Sequence, residues 1–168
     1  MRLETERLVL RKMRAEDAEP LLALFGDPRF MAAFAAAPFD RAAMDRWVAR
    51  NLAHQREHGY GLFTVVERAS GEVIGDCGLE HIDAGAELGY DLRADRWGQG
   101  LATEAATAVR DLALGQLALR RVVSLIRVGN VASRRVAEKI GMRLAEETAR
   151  GAVRYWLYEL PSPEPSRG

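Results

Sequence analysis

The most constraining stretch of this 168-residue sequence is Glu87 to Ala105, ELGYDLRADRWGQGLATEA. It opens as a short apolar strand, Glu87 to Leu92. It crosses a charged turn, Arg93-Ala94-Asp95-Arg96, meets two glycines, Gly98 and Gly100, and becomes helical from about Gln99. A strand that feeds a glycine-rich turn and then a helix builds an anion site from backbone alone. The first turn of a helix has unpaired N–H groups, and the aligned peptide dipoles add partial positive charge there. Glycine lets the backbone approach a phosphate because no Cβ intervenes. The turn is therefore expected to hold a pyrophosphate. A helix start whose glycines serve tight strand–helix packing is the plainer alternative. Two other phosphate classes fit poorly. Gly98-Gln99-Gly100-Leu101-Ala102-Thr103 is only GxGxxT, and a dinucleotide fold also wants an acidic residue about twenty positions on. Leu119-Arg120-Arg121-Val122-Val123 offers none. The lysine of a P-loop is absent too, since Thr103 follows Ala102.

The flanking pattern sets the fold class. Residues 7–14 alternate and read as a first strand. A helix starts near Arg14-Ala15-Glu16-Asp17, carries Leu21, Leu22, Leu24 and Phe25, and breaks at Gly26-Asp27-Pro28. Asp40 caps a second helix, 41–58, with Met44, Trp47, Val48 and Leu52 on one face, and Gly59 ends it. Residues 62–67 and 73–81 read as a hairpin, and a second turn at 82–85 leads back to the Glu87 strand. The helix 99–115 puts Leu101, Ala105, Val109 and Leu112 on one stripe. The β-branched run 121–128 reads as a buried strand. With a helix between them, this strand should run parallel to the Glu87 strand through a right-handed crossover. Asn130 caps a helix over 131–140, Gly141 ends it at the left-handed position, and residues 142–149 and 152–160 form a last hairpin. The result is an α+β domain, residues 1–160, with a mixed, mostly antiparallel sheet. A proline-rich polar tail, 161–168, is expected to be disordered.

Composition removes several function classes. Twenty-four basic residues face 24 acidic ones, so the net charge of +0 calls for neither nucleic acid nor an anionic membrane as partner. All the basic residues but Lys12 and Lys139 are arginine, which suits contacts to phosphate. Cys77 is the single cysteine, so no disulfide framework exists, and it reads as a buried inert thiol. The N-terminus lacks a signal-peptide apolar core and no run is long enough to span a bilayer, so a cytoplasmic protein is expected. His54 and His58 have the spacing of a zinc pair on a helix. Residue 55 is Gln, however, and no third ligand is evident, so no metal is expected.

Three segments, in order and spacing, resemble the GNAT superfamily of N-acetyltransferases, and within it the RimJ/RimL-type ribosomal-protein N-terminal acetyltransferases. Thr5-Glu6-Arg7-Leu8-Val9-Leu10-Arg11 resembles the opening strand. Trp97-Gly98-Gln99-Gly100-Leu101-Ala102 resembles the loop that wraps the CoA pyrophosphate, with Trp where the broad family has Gln or Arg. The stretch from Asn130 through Ser133 to Gly141-Met142 resembles the N-x-x-S helix and its closing turn. The resemblance implies a twisted sheet whose central parallel strand pair splays around an acyl-CoA site, with helices on both faces. It implies acetyl-CoA as co-substrate, attacked directly by an amine in a ternary complex. The implied acceptor is a protein N-terminal amine, with a small amine (polyamine, amino acid or antibiotic) as the alternative. A non-catalytic acyl-CoA sensor is a further alternative, and a homodimer is compatible with the family.

Carried over residue by residue, the resemblance gives the pyrophosphate to the backbone from Gly98 through Gln99, Gly100, Leu101 and Ala102 to Thr103, beside Trp97. Arg93, Arg96, Arg134 and Arg135 are candidate phosphate partners or plain solvated charges. The pantetheine arm pairs with Tyr90, Asp91 and Leu92, the Leu92 N–H faces the thioester oxygen, and Asn130 meets the pantetheine amides. Glu87 is the first candidate for the base, since a carboxylate desolvated there gains a raised pKa. An exposed strand residue is its plain alternative, Glu80 and His81 are second choices, and water is another. The early helical pair flanks the acceptor site, so Phe30, Phe34, Phe39 and Trp47 are either substrate contacts or core. Many family members protonate the leaving thiolate with a tyrosine on the helix after Asn130. Here that helix holds Val136, Ala137, Glu138 and Lys139, so Ser133 takes the role by carry-over.

Overall fold

A computed structural model describes residues 1–83 and 85–161; most of the expected tail, 162–168, lies outside the described residues. Among the described residues, eight strands form one sheet in the order β1-β2-β3-β4-β5-β6-β8-β7. They are β1 Arg2–Glu4, β2 Leu8–Lys12, β3 Leu62–Glu67, β4 Val73–Ile82, β5 Gly85–Leu92, β6 Val122–Arg127, β7 Arg143–Arg150 and β8 Val153–Glu159. The helices are α1 Ala18–Phe25, α2 Pro28–Met31, α3 Arg41–His58, α4 Leu101–Leu114 and α5 Val131–Lys139. Every neighbouring strand pair is antiparallel except β5–β6, which is parallel because α4 intervenes. No helix among the described residues is long and apolar enough to cross a membrane.

Two apolar clusters cover the two faces of the sheet. On one face, Leu101, Ala105, Val109 and Leu112 of α4 and Ala137 of α5 pack against Leu8, Leu10, Val65, Leu79 and Leu88. Burial of this expected stripe fixes α4 over the middle strands. On the other face, Leu21, Leu24 and Phe25 of α1 meet Met44 and Val48 of α3. The caps act as expected: the Asp40 carboxylate accepts from Ala43 N–H at 2.8 Å, and Gly59 ends α3 at φ 75°.

The structure departs from the sequence reading in two elements and decides between its two alternatives for the early aromatics. β1 was not foreseen; it pairs with β2 through a turn at Thr5–Arg7. The first helix starts only at Ala18, after a 3-10 turn over Ala15–Asp17. Three of the four aromatics of the early region are built into the apolar face. Phe30 is buried, and Phe39 and Trp47 lie 5.2 and 4.8 Å from the Phe25 ring. Phe34 stands 49% exposed.

The feature that positions the site is a fork. The β5–β6 register is limited to Ala86↔Val122 and Glu87↔Val123, although β5 continues to Leu92 and β6 to Arg127. Ser124 Oγ donates to Leu88 O at 2.6 Å at the vertex. Beyond it the two strands part.

Candidate active site

Parallel strands send their following helices back from the same end of the sheet. The N-termini of α4 and α5 therefore both lie at the open end of the fork, where α/β sheets place ligands. The α4 turn is bare. Gly98 and Gly100 hold φ 74° and 77°, and Gly100 caps α4 with no side-chain hydrogen bond. A Cβ on Gly98 would meet nothing within 4 Å, and one on Gly100 only an Arg7 nitrogen at 3.6 Å. These glycines are required by left-handed backbone and not by close packing. The first helical bond is Glu104 N–H to Gly100 O, 3.0 Å, so the N–H groups of Leu101, Ala102 and Thr103 have no intrahelical partner.

What holds this turn in place escaped the sequence reading. The Glu104 carboxylate accepts from Thr5 Oγ1 at 2.6 Å and from Arg7 N–H and Nε at 2.7 Å each, and Arg7 Nη1 donates to Gln99 O at 2.9 Å. Burial opposes the ionised form of Glu104, but the bonds from Thr5 and Arg7 together outweigh it and hold the carboxyl below its usual range. The opening segment of the chain is thus a clamp on the α4 N-terminus. Arg93 and Arg96 tie the same turn from the other side. Arg96 bonds Glu67, Glu72 and Asp95 at 3.1, 3.2 and 3.0 Å, and Arg93 bonds Asp95 at 2.7 Å. Arg134 pairs with Glu138 and lies over the Trp156 ring. Of the four arginines considered for phosphate, Arg135 alone makes no side-chain ion pair or hydrogen bond among the described residues.

The fork edge follows from strand alternation. Ala86 N–H points across to Arg121 O on the β6 side, while Arg93 N–H points to Ile74 O on the β4 side. By the period of two, the N–H groups of Tyr90 and Leu92 face the fork, past the last register pair. Trp97 Nε1 donates to Leu92 O at 2.9 Å and covers that carbonyl, with the ring half exposed. Across the fork, Asn130 Oδ1 accepts from Ser133 N–H at 3.2 Å as an N-cap. A tyrosine does reach α5, from an unexpected strand. Tyr90 OH donates to Ser133 O at 2.6 Å and accepts from Ser133 Oγ at 3.3 Å, and burial pushes its phenol pKa up. In the sequence Tyr90 stands out only for its position on the pantetheine strand.

On the other face of the β4–β5 hairpin the sequence is its own mirror. Asp76-Cys77-Gly78-Leu79-Glu80 runs against Glu87-Leu88-Gly89-Tyr90-Asp91. The register sets Asp76 opposite Asp91, Gly78 opposite Gly89 and Glu80 opposite Glu87, all on one face. Burial pushes the Glu87 carboxyl up, Glu80 adds to it, and Arg150 and the Leu125 N–H oppose it. Burial, with Glu80 and Glu87, pushes Asp91 up to about 7. Asp76 is fully buried, neither carboxylate oxygen has a hydrogen-bond partner, and burial followed by Asp91 and Glu80 raises it well above its usual range. The mirrored spacing was visible in the sequence and would have found Asp76. Cys77 points to the opposite, apolar face, and burial pushes its thiol up.

The His54 and His58 rings lie tilted at 4.5 Å, and His58 stacks on His81 at 4.4 Å. His54 Nε2 accepts from His81 N–H at 2.8 Å, and burial together with His58 holds its pKa low. This trio closes the end of β4 beyond β3. It leaves His81 engaged in a ring stack and not aimed along the fork.

Comparison with known proteins places this geometry. The sequence pattern of the Acetyltransferase (GNAT) domain matches residues 7–143. The chain is similar to YkkB of Bacillus subtilis (strain 168), an uncharacterized protein, at 33% identity over 92% of this chain and 90% of that one. It is similar to p20 of Bacillus licheniformis, an uncharacterized N-acetyltransferase, at 32% identity over 90% of each. Among solved structures, an acetyltransferase from Agrobacterium tumefaciens superposes with a TM-score of 0.84 at 30% identity, covering 96% of this chain and 95% of that one.

Proposed function

The chain belongs to the acetyltransferase (GNAT) family and is an acetyl-CoA-dependent N-acetyltransferase, and from that premise we propose that it acetylates a primary amine by direct attack in a ternary complex at the β5–β6 fork. One observation carries the reading: an edge of fork-facing N–H groups on β5 leads to the bare N-terminus of α4. Acetyl-CoA has a pyrophosphate at one end and an amide-bearing arm that ends in the thioester. The turn from Gly98 to Thr103 meets the first need, with Arg135 for further phosphate. The backbone of Tyr90, Asp91 and Leu92, with the Asn130 amide, meets the second. The Leu92 N–H then stabilises negative charge on the thioester oxygen as the amine adds.

Each proton has a destination. The amine nitrogen forms a bond to the acetyl carbon, the C–S bond breaks, and the ammonium proton passes to Glu87, whose carboxyl is tuned upward by burial and by Glu80. The CoA thiolate takes a proton from Ser133, whose hydroxyl donates to Tyr90 OH in the free protein; Ser133 regains its proton from solvent, which takes up the one that Glu87 releases. The RimJ/RimL resemblance points to a protein N-terminus as acceptor and the open acidic face of β5 to a small amine. Calorimetric titration with acetyl-CoA, CoA and NAD in parallel tests the cofactor: binding of acetyl-CoA with no NAD response is expected, and silence with acetyl-CoA removes the turn from the site. Ser133→Ala and Glu87→Gln should lower turnover far more than acetyl-CoA affinity.

A further inference from the structure

The two cross-strand carboxylate pairs, Asp76–Asp91 and Glu80–Glu87, stand four residues apart along β4 and β5, about 13 Å at a strand rise of ~3.3 Å per residue. Between them Gly78 and Gly89 contribute no side chains. The space over Gly89 is open, for an added Cβ there meets no heavy atom within 4 Å, while Gly61 O closes the space over Gly78 at 2.2 Å. Asp91, Glu80 and Glu87 are partly exposed and Asp76 is buried behind them. The result is a carboxylate well that opens over β5, beside the fork. Arg150 acts on it near Glu87. On its β3 side, Thr64 bonds Asp17, which Arg11 already neutralises. A buried carboxylate with no partner needs a proton or a cation, and Asp76 has neither bond made.

We propose that this well is the acceptor site and that the acceptor is a linear aliphatic polyamine, its reacting amine over Gly89 and a further ammonium group on the carboxylates beside it. The proposal rests on the acetyl-transfer reading above. The four acids are strung along the hairpin and do not converge: among the described residues no three His, Cys, Asp or Glu come together to hold a single ion. Charges spread along a line, with an open middle, fit a ligand whose ammonium groups are spaced by a few methylenes. A peptide N-terminus brings one ammonium followed by amide groups, and the well offers carboxylates where those carbonyls would need donors.

The test is thiol release from acetyl-CoA with spermidine, putrescine, butylamine and a Ser-initiated peptide, in the wild type and in Glu80→Gln and Asp76→Asn. The expected result is a kcat/KM for spermidine at least about tenfold above butylamine and peptide, the effect of one charge-assisted contact. That ratio should fall toward one in either variant through a raised polyamine KM. A peptide preferred over spermidine, a spermidine-to-butylamine ratio near one, or a ratio untouched by both variants overturns the proposal. Glu80→Gln keeps the test sharp if Asp76→Asn does not fold. Binding of acetyl-CoA without acetylation of either polyamine overturns the acceptor and leaves the cofactor site standing. If acetyl-CoA itself fails to bind, calorimetry of spermidine with the protein alone decides the well: no binding, or binding unchanged in Glu80→Gln, overturns it.

Discussion

Asp17 and Asp76 are near neighbours on one face of the sheet, both at most 3% exposed, and they meet opposite fates. The register runs Arg11–Thr64–Asp76–Asp91 straight across four strands. Asp17 enters this row from the turn before α1. It accepts from Arg11 at 2.7 and 2.9 Å, from Thr64 Oγ1 at 2.7 Å and from Arg14 N–H at 2.8 Å. Burial opposes its charge, but these four bonds together hold its pKa below the usual value. Asp76, one strand on, has no bond and titrates high. Burial is common to both; partners decide the sign. The β2–β3 half of the row spends its polar groups on the scaffold, and the β4–β5 half leaves them for something else.

The largest expected effect tests the open half. Glu87→Gln should lower kcat about 10²- to 10⁴-fold, the usual contribution of a positioned base, with acetyl-CoA Kd unchanged. Full activity would move Glu87 to the scaffold side. Next, Asp17→Asn leaves Arg11 without its buried partner and should cost about 3 kcal/mol or more in urea denaturation. Asp76→Asn, in the same assay at neutral pH, should be neutral or stabilising, because it removes a carboxyl that nothing compensates. Equal losses in the two variants would erase the contrast.

How much of this the sequence carried depends on range. Periodicity and caps are local, and they gave α3 from Arg41 to His58, the α4 stripe and the parallel β5–β6 pair. The glycine turn at Gly98 and Gly100 was also legible, since glycine spacing before a helix is local, but its left-handed backbone came from the structure. Contacts across 97 residues, such as Arg7 to Glu104, carry no periodic signal, so the clamp on α4 was read only as a strand. Tyr90 was placed on the right strand, but its hydroxyl reaches α5 across the fork, a distance no spacing rule covers. Asp76 needed the hairpin register, and the mirrored Asp-x-Gly-x-Glu pattern supplies it once the turn is centred.

A smaller effect is the pH dependence of stability, and the two halves should slope in opposite directions. Asp17 has a folded pKa below its unfolded value near 4. Its contribution is complete above that value and is lost as pH falls through the depressed one. Asp91 has a folded value of about 7, above the unfolded one. Below about 4 both states hold the proton; from there to 7 only the folded state does, so stability falls as pH rises, by at most about 1.4 kcal/mol per unit, and levels off above. Denaturation midpoints from pH 5 to 8 should show this decline in the wild type and a shallower one in Asp91→Asn, where Asp76 and Glu87, also raised, still contribute. A slope unchanged in that variant assigns the decline to the other carboxyls.

The smallest effect concerns Arg96, which sits one turn from the glycines and could be counted with either half. Its bonds go to Glu67, Glu72 and Asp95, so its charge is already spent on fastening the turn to the β3–β4 hairpin. Arg96→Met should change acetyl-CoA Kd by less than about twofold, as expected for a partly exposed ion-pair network. Arg135→Met, which removes the unengaged arginine, should weaken binding more and make it less sensitive to salt. The reverse order would mean that the carboxylates around Arg96 give it up to phosphate. Ion pairing in the free protein would then fail to mark the scaffold, and the distinction drawn from Asp17 and Asp76 would hold only for groups that are fully buried.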